Sequence, residues 1–358
     1  MTSREGLYRE ILRLFVGVDI EVSDPILHHL TTFTTFLCEG TVAHLTRLSD
    51  ALSNTDTKPE AKEQVVRRFL SSQKISSEQT LDSRIALALP IIKRQDEIVI
   101  TLDRTEWKKR KQKVQILSAS AAMVGRAVPL HWITANRKGN TSFETWQTLL
   151  RPLMEALMRF EELASYRIVV VADREFASPR LVHWLMDTFG VYAAVRCKRS
   201  EYMQEEGSLP EQLSSVIRRI EPGETQFFPS VLLTKAATKP IAVCISWRSD
   251  CKEPLIAATS LDNAEDTLAR YEQRFGTEPM YKDLKSNGFD LESTKVTDAK
   301  RIDTLMILCA FAMIILLTLG IDREESQQSR TTVKNSKKKR SKTRQTGERS
   351  FSRRAALA

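Results

Sequence analysis

Three acidic residues in this 358-residue sequence stand where a carboxylate can do chemistry. Asp103 closes the β-branched run EIVITLD, Asp173 closes IVVVAD, and Glu278 lies in the charged stretch YEQRFGTEPMYKDLK. If the two runs are neighbouring strands, both Asp side chains emerge at one edge of a sheet. Taken singly, an acid at a strand end also reads as a helix cap or turn residue. Gathered together, three carboxylates repel and raise one another's pKa, a situation usually relieved by cations. Hard oxygen ligands select Mg2+ or Mn2+, and two such ions about 3.5 to 4 Å apart can activate an attacking oxygen and stabilise a leaving one at a phosphodiester. The chemistry implied is phosphoryl transfer on nucleic acid. The sequence has neither a P-loop nor a histidine-acid zinc motif, which argues against a nucleoside triphosphatase or a zinc hydrolase.

Around Glu278 the spacing adds to this. Tyr271, Arg274, Glu278 and Lys285 follow one another at steps of three, four and seven. At about 100° per residue, a continuous helix would bring all four within roughly 60°. Pro279 directly after the Glu removes a backbone donor and disfavours helical dihedrals at Glu278. The expectation is a local bend, with Glu278 as a junction residue whose carboxylate turns toward Asp103 and Asp173. Alone, these cations would be exposed helical residues and Tyr271 a partly buried ring. Beside the carboxylates they become candidates for gripping DNA: Arg274 by a bidentate fork, Lys285 as a point charge, Tyr271 by a phosphate hydrogen bond or by packing on a displaced nucleotide. Arg174, next to Asp173, either contacts DNA or balances charge.

The elements that must position these residues are legible in outline. The first 94 residues show three helical segments, DPILHHLTTFTTFLCEG, TVAHLTRLSDALS and KPEAKEQVVRRFLSS. They suit either a helix-turn-helix-like DNA reader using Arg67 and Arg68 or a bundle that packs on the next domain. From Asp96 the order becomes β-β-β-α-β-α-β. An acidic loop, a short helix and two strands interrupt it between about Lys198 and Glu253, and PLIAATS returns to the main sheet. The boundaries expected are a helical DNA-end-binding domain at 1–94, a catalytic domain in two parts at 95–198 and 254–325, a β-rich inserted subdomain at 199–253, and a basic disordered tail at 326–358.

Together these residues resemble the DDE transposases of bacterial insertion sequences, in the cut-and-paste branch called family four. Its Y-x2-R-x3-E-x6-K signature is complete in Tyr271, Arg274, Glu278 and Lys285, and ADREFAS is similar to the family's motif around the second Asp. The resemblance runs from about Asp96 to Ile321. It implies an α/β fold, a ribonuclease-H-like mixed sheet flanked by helices and interrupted by a β-rich insertion. It also implies Asp103, Asp173 and Glu278 as catalytic ligands of two Mg2+ or Mn2+ ions, with Tyr271, Arg274, Lys285 and Arg174 as DNA-binding residues. The partners implied are double-stranded inverted-repeat ends, target DNA and a second copy of the chain on paired ends. Some members stack a flipped base on a Trp in the insertion; the equivalent position here is Leu255, with Trp247 the nearest aromatic. A structure-specific endonuclease and a catalytically dead DNA-binding derivative are the rival readings.

Composition fits this reading. The net charge is +9, but residues 330–358 carry eleven Lys and Arg against Glu348 alone, about +10, leaving the rest near neutral. The tail can add salt-sensitive phosphate contacts. Five scattered cysteines without a C-x-x-C pair, and no secretory pattern, point to a cytosolic protein with free thiols, and the resemblance implies a bacterial cytoplasmic, nucleoid-associated one. The apolar run Thr304 to Gly320 is slightly short for a membrane span and closely bounded by charges, so a buried core helix is expected, with no membrane partner.

Overall fold

The computed structural model describes residues 3–52, 57–109, 112–123, 125–135, 141–235 and 237–321; the basic tail at 326–358 lies outside them. Five helices come first: α1 (Arg4–Gly17), α2 (Asp24–Cys38), α3 (Leu45–Ser49), α4 (Pro59–Leu70) and α5 (Leu81–Ile92). The two that the pattern alone does not reveal are α1, which is rich in charge, and α5, which carries Pro90 in its last turn. A serine starts α1, where the Ser3 hydroxyl accepts from the Gly6 amide at 3.2 Å.

One sheet then gathers ten strands in the order β3-β2-β1-β4-β5-β10-β9-β8-β6-β7. β1 (Glu97–Lys109), β2 (Gln112–Met123) and β3 (Arg126–Ala135) form an antiparallel meander. β4 (Arg167–Ala172) runs parallel to β1, and β5 (Tyr192–Arg196) parallel to β4, each reached through a helix, α6 (Phe143–Arg159) and α7 (Pro179–Phe189). Ile98 to Leu102 and Val169 to Ala172 are buried without alternation, as expected for central strands covered on both faces. The insertion contributes β6 (Tyr202–Gln204), β7 (Glu211–Gln212), α8 (Leu213–Ile217), β8 (Thr225–Leu233) and β9 (Ile241–Ser246). β10 (Leu255–Thr259) pairs with both β5 and β9, so the inserted strands prolong the main sheet.

After β10 the chain forms α9 (Ala264–Glu272), a 3-10 turn (Gln273–Gly276), α10 (Thr277–Lys282), a π turn (Asp283–Asn287) and α11 (Ala299–Ile321). The Asn263 side chain accepts from the Asp266 amide at 2.8 Å and so starts α9. α9 packs on β4 and β5, α10 on β1 and β3. Met1–Ile314 form one compact unit; a second unit starts at Ile315, and its described residues are the end of α11. By length and composition α11 could cross a membrane, yet Leu305 to Ala312 are buried throughout. The Phe311 ring lies 4.9 Å from that of Phe15, the Thr304 hydroxyl donates to the Leu70 carbonyl at 3.1 Å, and the Trp132 indole donates to Asp303 at 2.8 Å. This stretch is the core helix of the first unit.

Candidate active site

Leu102 and Ala172 are the last register partners of β1 and β4, so Asp103 and Asp173 are adjacent on neighbouring parallel strands and project from the same face. Ala172 also pairs with Val195, which makes Arg196 the third residue of that row. Each aspartate accepts the amide of the residue after it, Arg104 or Arg174, at 2.7 Å. The other oxygen of Asp103 lies 2.9 Å from the Thr277 hydroxyl and 3.6 Å from Arg274, while Asp173 has Arg196 at 3.9 Å. Burial pushes the Asp103 carboxyl above its ordinary pKa and the Asp173 charge adds to this; the Arg104 amide, Thr277 and Arg274 oppose it.

The segment bearing the signature is not one uniform helix. Tyr271 is near the end of α9, Arg274 is in the 3-10 turn, Glu278 is the second residue of α10, and Lys285 is in the π turn. The backbone stays in the right-handed helical region at Glu272, Gln273, Gly276, Thr277, Lys282 and Asp283, so the change is one of winding. Tight 3-10 and loose π turns spoil the constant 100° step on which a single stripe depends. Glu278 does sit at a junction, where the 3-10 turn gives way to α10, and Pro279 falls in the first turn of α10, where proline is tolerated. The turn lies so close to β3 that a Cβ on Gly276 would come within 2.9 Å of the Arg126 carbonyl carbon and 3.2 Å of the Ala127 nitrogen.

Tyr271 is only 3% exposed, its ring 5.7 Å from the Arg274 guanidinium carbon. Arg274 is 8% exposed and stacks 5.0 Å over the Phe275 ring, facing the aspartates from inside the protein. Burial works against its charge, but Tyr271, Asp173 and Asp103 outweigh this and raise its pKa. Lys285 donates to the Glu106 carbonyl at 3.3 Å, on the stretch of β1 beyond Asp103. Arg174 is exposed and lies 3.8 Å from Glu253, which Arg199 also approaches at 3.5 Å. Glu278 is exposed. Among the described residues no three acidic, His or Cys side chains stand close enough together to hold a metal. The structure therefore brings Asp103 and Asp173 together, whereas the expected turn of the Glu278 carboxylate toward them is not seen: that side chain is exposed and does not join the pair. The aspartate pair fits a hard divalent cation, because its oxygen donors are side by side and their mutual repulsion is what such an ion relieves.

Sequence alone missed several residues here. Tyr281, one turn after Thr277, shares a 2.8 Å hydrogen bond with Ser118, the cross-strand partner of Asp103. Glu175 binds Arg104 at 2.7 and 2.8 Å and so links the turn after β4 to the middle of β1, which does not close at Asp103 as the sequence suggests but runs on to Lys109. The only signals were a Thr directly before Glu278 and an Arg at the end of VYAAVR. Beyond Asp103 the β1–β2 ladder continues to Lys109↔Gln112, which puts Lys108, Lys109 and Lys113 at its far end; Arg110 and Lys111 lie outside the described residues. Just after the insertion Leu255 opens β10, and within it the Trp247 indole donates to the Cys251 carbonyl at 3.0 Å.

The model of the transposase DDE domain matches residues 94–315, and the chain belongs to that family. Membership gives it a transposase-type function with DNA as its partner. None of the curated proteins matches the sequence. Among solved structures it is similar to an endonuclease V from Bacillus subtilis, with 11% identity over 71% of this chain and 96% of that one, at a TM-score of 0.26.

Proposed function

We propose that the chain is a cut-and-paste DNA transposase of the family-four insertion-sequence type. It would cleave the phosphodiesters at inverted-repeat ends and join the freed 3′-hydroxyls to target DNA. The observation that carries this reading is the side-by-side Asp103 and Asp173 just past the end of the β1–β4 ladder, covered by the signature segment through Thr277 and Arg274. The strand order β3-β2-β1-β4-β5, with β2 antiparallel to its neighbours, supports a ribonuclease-H-like core.

Asp103 and Asp173, with Glu278 as third ligand, would hold two Mg2+ or Mn2+ ions, which when bound activate the attacking oxygen and stabilise the leaving one. The chain's own residues prepare that site. The Arg104 and Arg174 amides and the Thr277 hydroxyl aim the aspartates, and Arg274 and Arg196 offset their charge. Arg174 and Lys285, nearer the surface, are placed to meet phosphates. The N-terminal helices would bind the ends, the insertion and the tail would add backbone contacts, and a second copy would pair the two ends. The protein would act in the bacterial cytoplasm, on nucleoid DNA.

The test is to incubate purified protein and Mg2+ with the inverted repeats that flank its own gene, then map the cleaved phosphodiesters. Asp103→Ala and Asp173→Ala should abolish cleavage while end binding persists. Nicking by either variant would overturn the assignment, and cutting without joining would favour the nuclease reading.

A further inference from the structure

We infer that Thr277 is a positioning residue of the metal-binding pair: its hydroxyl fixes the plane of the Asp103 carboxylate and ties the start of α10, and with it Glu278, to the middle of β1. This rests on the reading of Asp103 and Asp173 as the metal ligands.

The hydroxyl is fully buried and lies 2.9 Å from both Asp103 Oδ2 and the Arg274 carbonyl. It has one proton for two acceptors, and the ionised carboxylate is the stronger. The Asp103 Oδ1 atom is already held by the Arg104 amide at 2.7 Å. With Oδ1 held by one hydrogen bond and Oδ2 by Thr277, Arg274 standing 3.6 Å from the same Oδ2, the carboxylate plane is fixed, yet each oxygen keeps lone-pair capacity for a cation. Groups that orient a ligand in this way typically change metal affinity by about 10- to 100-fold when removed.

A second hydroxyl supplies an internal control. Thr277 and Tyr281 are one turn apart on the buried side of α10, and they bind the two members of one cross-strand pair, Asp103 and Ser118. Both fasten the helix to the sheet; only Thr277 touches the carboxylate. A purely structural role for Thr277 would make the two substitutions equivalent.

The experiment titrates the full chain with Mn2+ by calorimetry, and in parallel finds the Mg2+ concentration for half-maximal cleavage. Thr277→Val and the smaller Thr277→Ala should both weaken Mn2+ binding by about 10- to 100-fold and raise the Mg2+ requirement by a similar factor. Thr277→Ser should restore both. Tyr281→Phe should lower the unfolding midpoint and leave Mn2+ affinity unchanged. Wild-type affinity in Thr277→Val and Thr277→Ala would overturn the inference, as would a loss in Thr277→Ser equal to that in Thr277→Val. Asp103→Ala should no longer bind Mn2+ at this site; if it bound as wild type does, the underlying reading would fail instead.

Discussion

Arg274 shows how surroundings change the meaning of a residue. Its type and spacing suggest a fork for phosphate, but the structure buries it against Phe275 and aims it at Asp103. Removing a largely buried cation leaves its partner's charge uncompensated. Arg274→Ala should therefore cost about 2 kcal/mol in urea unfolding as well as activity. Arg274→Lys should keep most of that stability and still cut poorly, because an ammonium lacks both the fork and the stacking plane. If Arg274→Ala unfolded like wild type, its role as a buried counter-ion would be wrong. His131 carries a separate prediction. Burial, then the neighbouring Arg84 guanidinium, pushes its pKa down to about 3, and its ring nitrogen sits 2.9 Å from the Ser77 hydroxyl. The folded value lies below the unfolded one of about 6.5, so this contribution to stability is complete above that pH and is lost as pH falls. Between pH 7 and pH 5, wild type should lose about 1 to 2 kcal/mol more than His131→Gln. Parallel pH profiles would refute it. That Asp103 and Asp173 could stand side by side was legible, because an acid closing a β-branched run is a local pattern. Arg84, Arg196 and the Thr277 hydrogen bond were not, because each acquires its partner only when distant segments meet.

At the scale of elements, strands and their order were readable from β-branched runs, whereas helical winding was not. Pro279 announced an irregularity but could not say that a 3-10 turn precedes it and a π turn follows. The tight approach of that turn to β3 makes Gly276 a packing requirement, since the atoms a methyl would meet are backbone and cannot swing away. Gly276→Ala should cost about 1 to 3 kcal/mol and displace the start of α10, which denaturant titration and loss of cleavage would report together. A variant as stable as wild type would show that the turn can shift freely. The β1–β2 hairpin carries a further prediction. β1 runs on from Asp103 to Lys109, about 20 Å at strand rise, and its far end holds Lys108, Lys109 and Lys113, with Arg110 and Lys111 between the strands outside the described residues. Lys108 is the register partner of Lys113, whose ammonium donates to Glu106 at 3.1 Å. Replacing Lys108, Lys109, Arg110 and Lys111 with Gln should flatten the dependence of log affinity for duplex DNA on log salt by about 0.9 for each phosphate that is no longer neutralised. An unchanged slope would exclude the hairpin from the DNA path.

At the scale of the molecule, the change in texture near residue 94 reads as a domain boundary, yet the packing crosses it. Phe15 of α1 lies against Phe311, the Leu70 carbonyl at the end of α4 accepts from Thr304, the Ser71 hydroxyl accepts from Arg301 at 2.8 Å, and the Ile75 carbonyl accepts from Lys300 at 2.7 Å. From α5, Arg84 is wholly buried, donating to the Leu130 carbonyl at 2.8 Å and stacking 4.5 Å over Trp132. No local pattern encodes these interactions, since each half looks complete in composition and they join only where α11 and β3 meet the N-terminal helices. Removing residues 1–94 would uncover an apolar helix and strand the Trp132 edge of the sheet without its cover. A fragment of residues 95–321, although it spans the matched family domain, should be poorly soluble, bind a hydrophobic dye and lack a cooperative thermal transition. The full chain should melt its helices and its sheet together, so far-ultraviolet circular dichroism and tryptophan fluorescence should share one midpoint. A fragment that folds cooperatively by itself would make the N-terminal helices a detachable DNA-binding module. The expected failure of the fragment makes them part of the wall that holds the catalytic sheet in place.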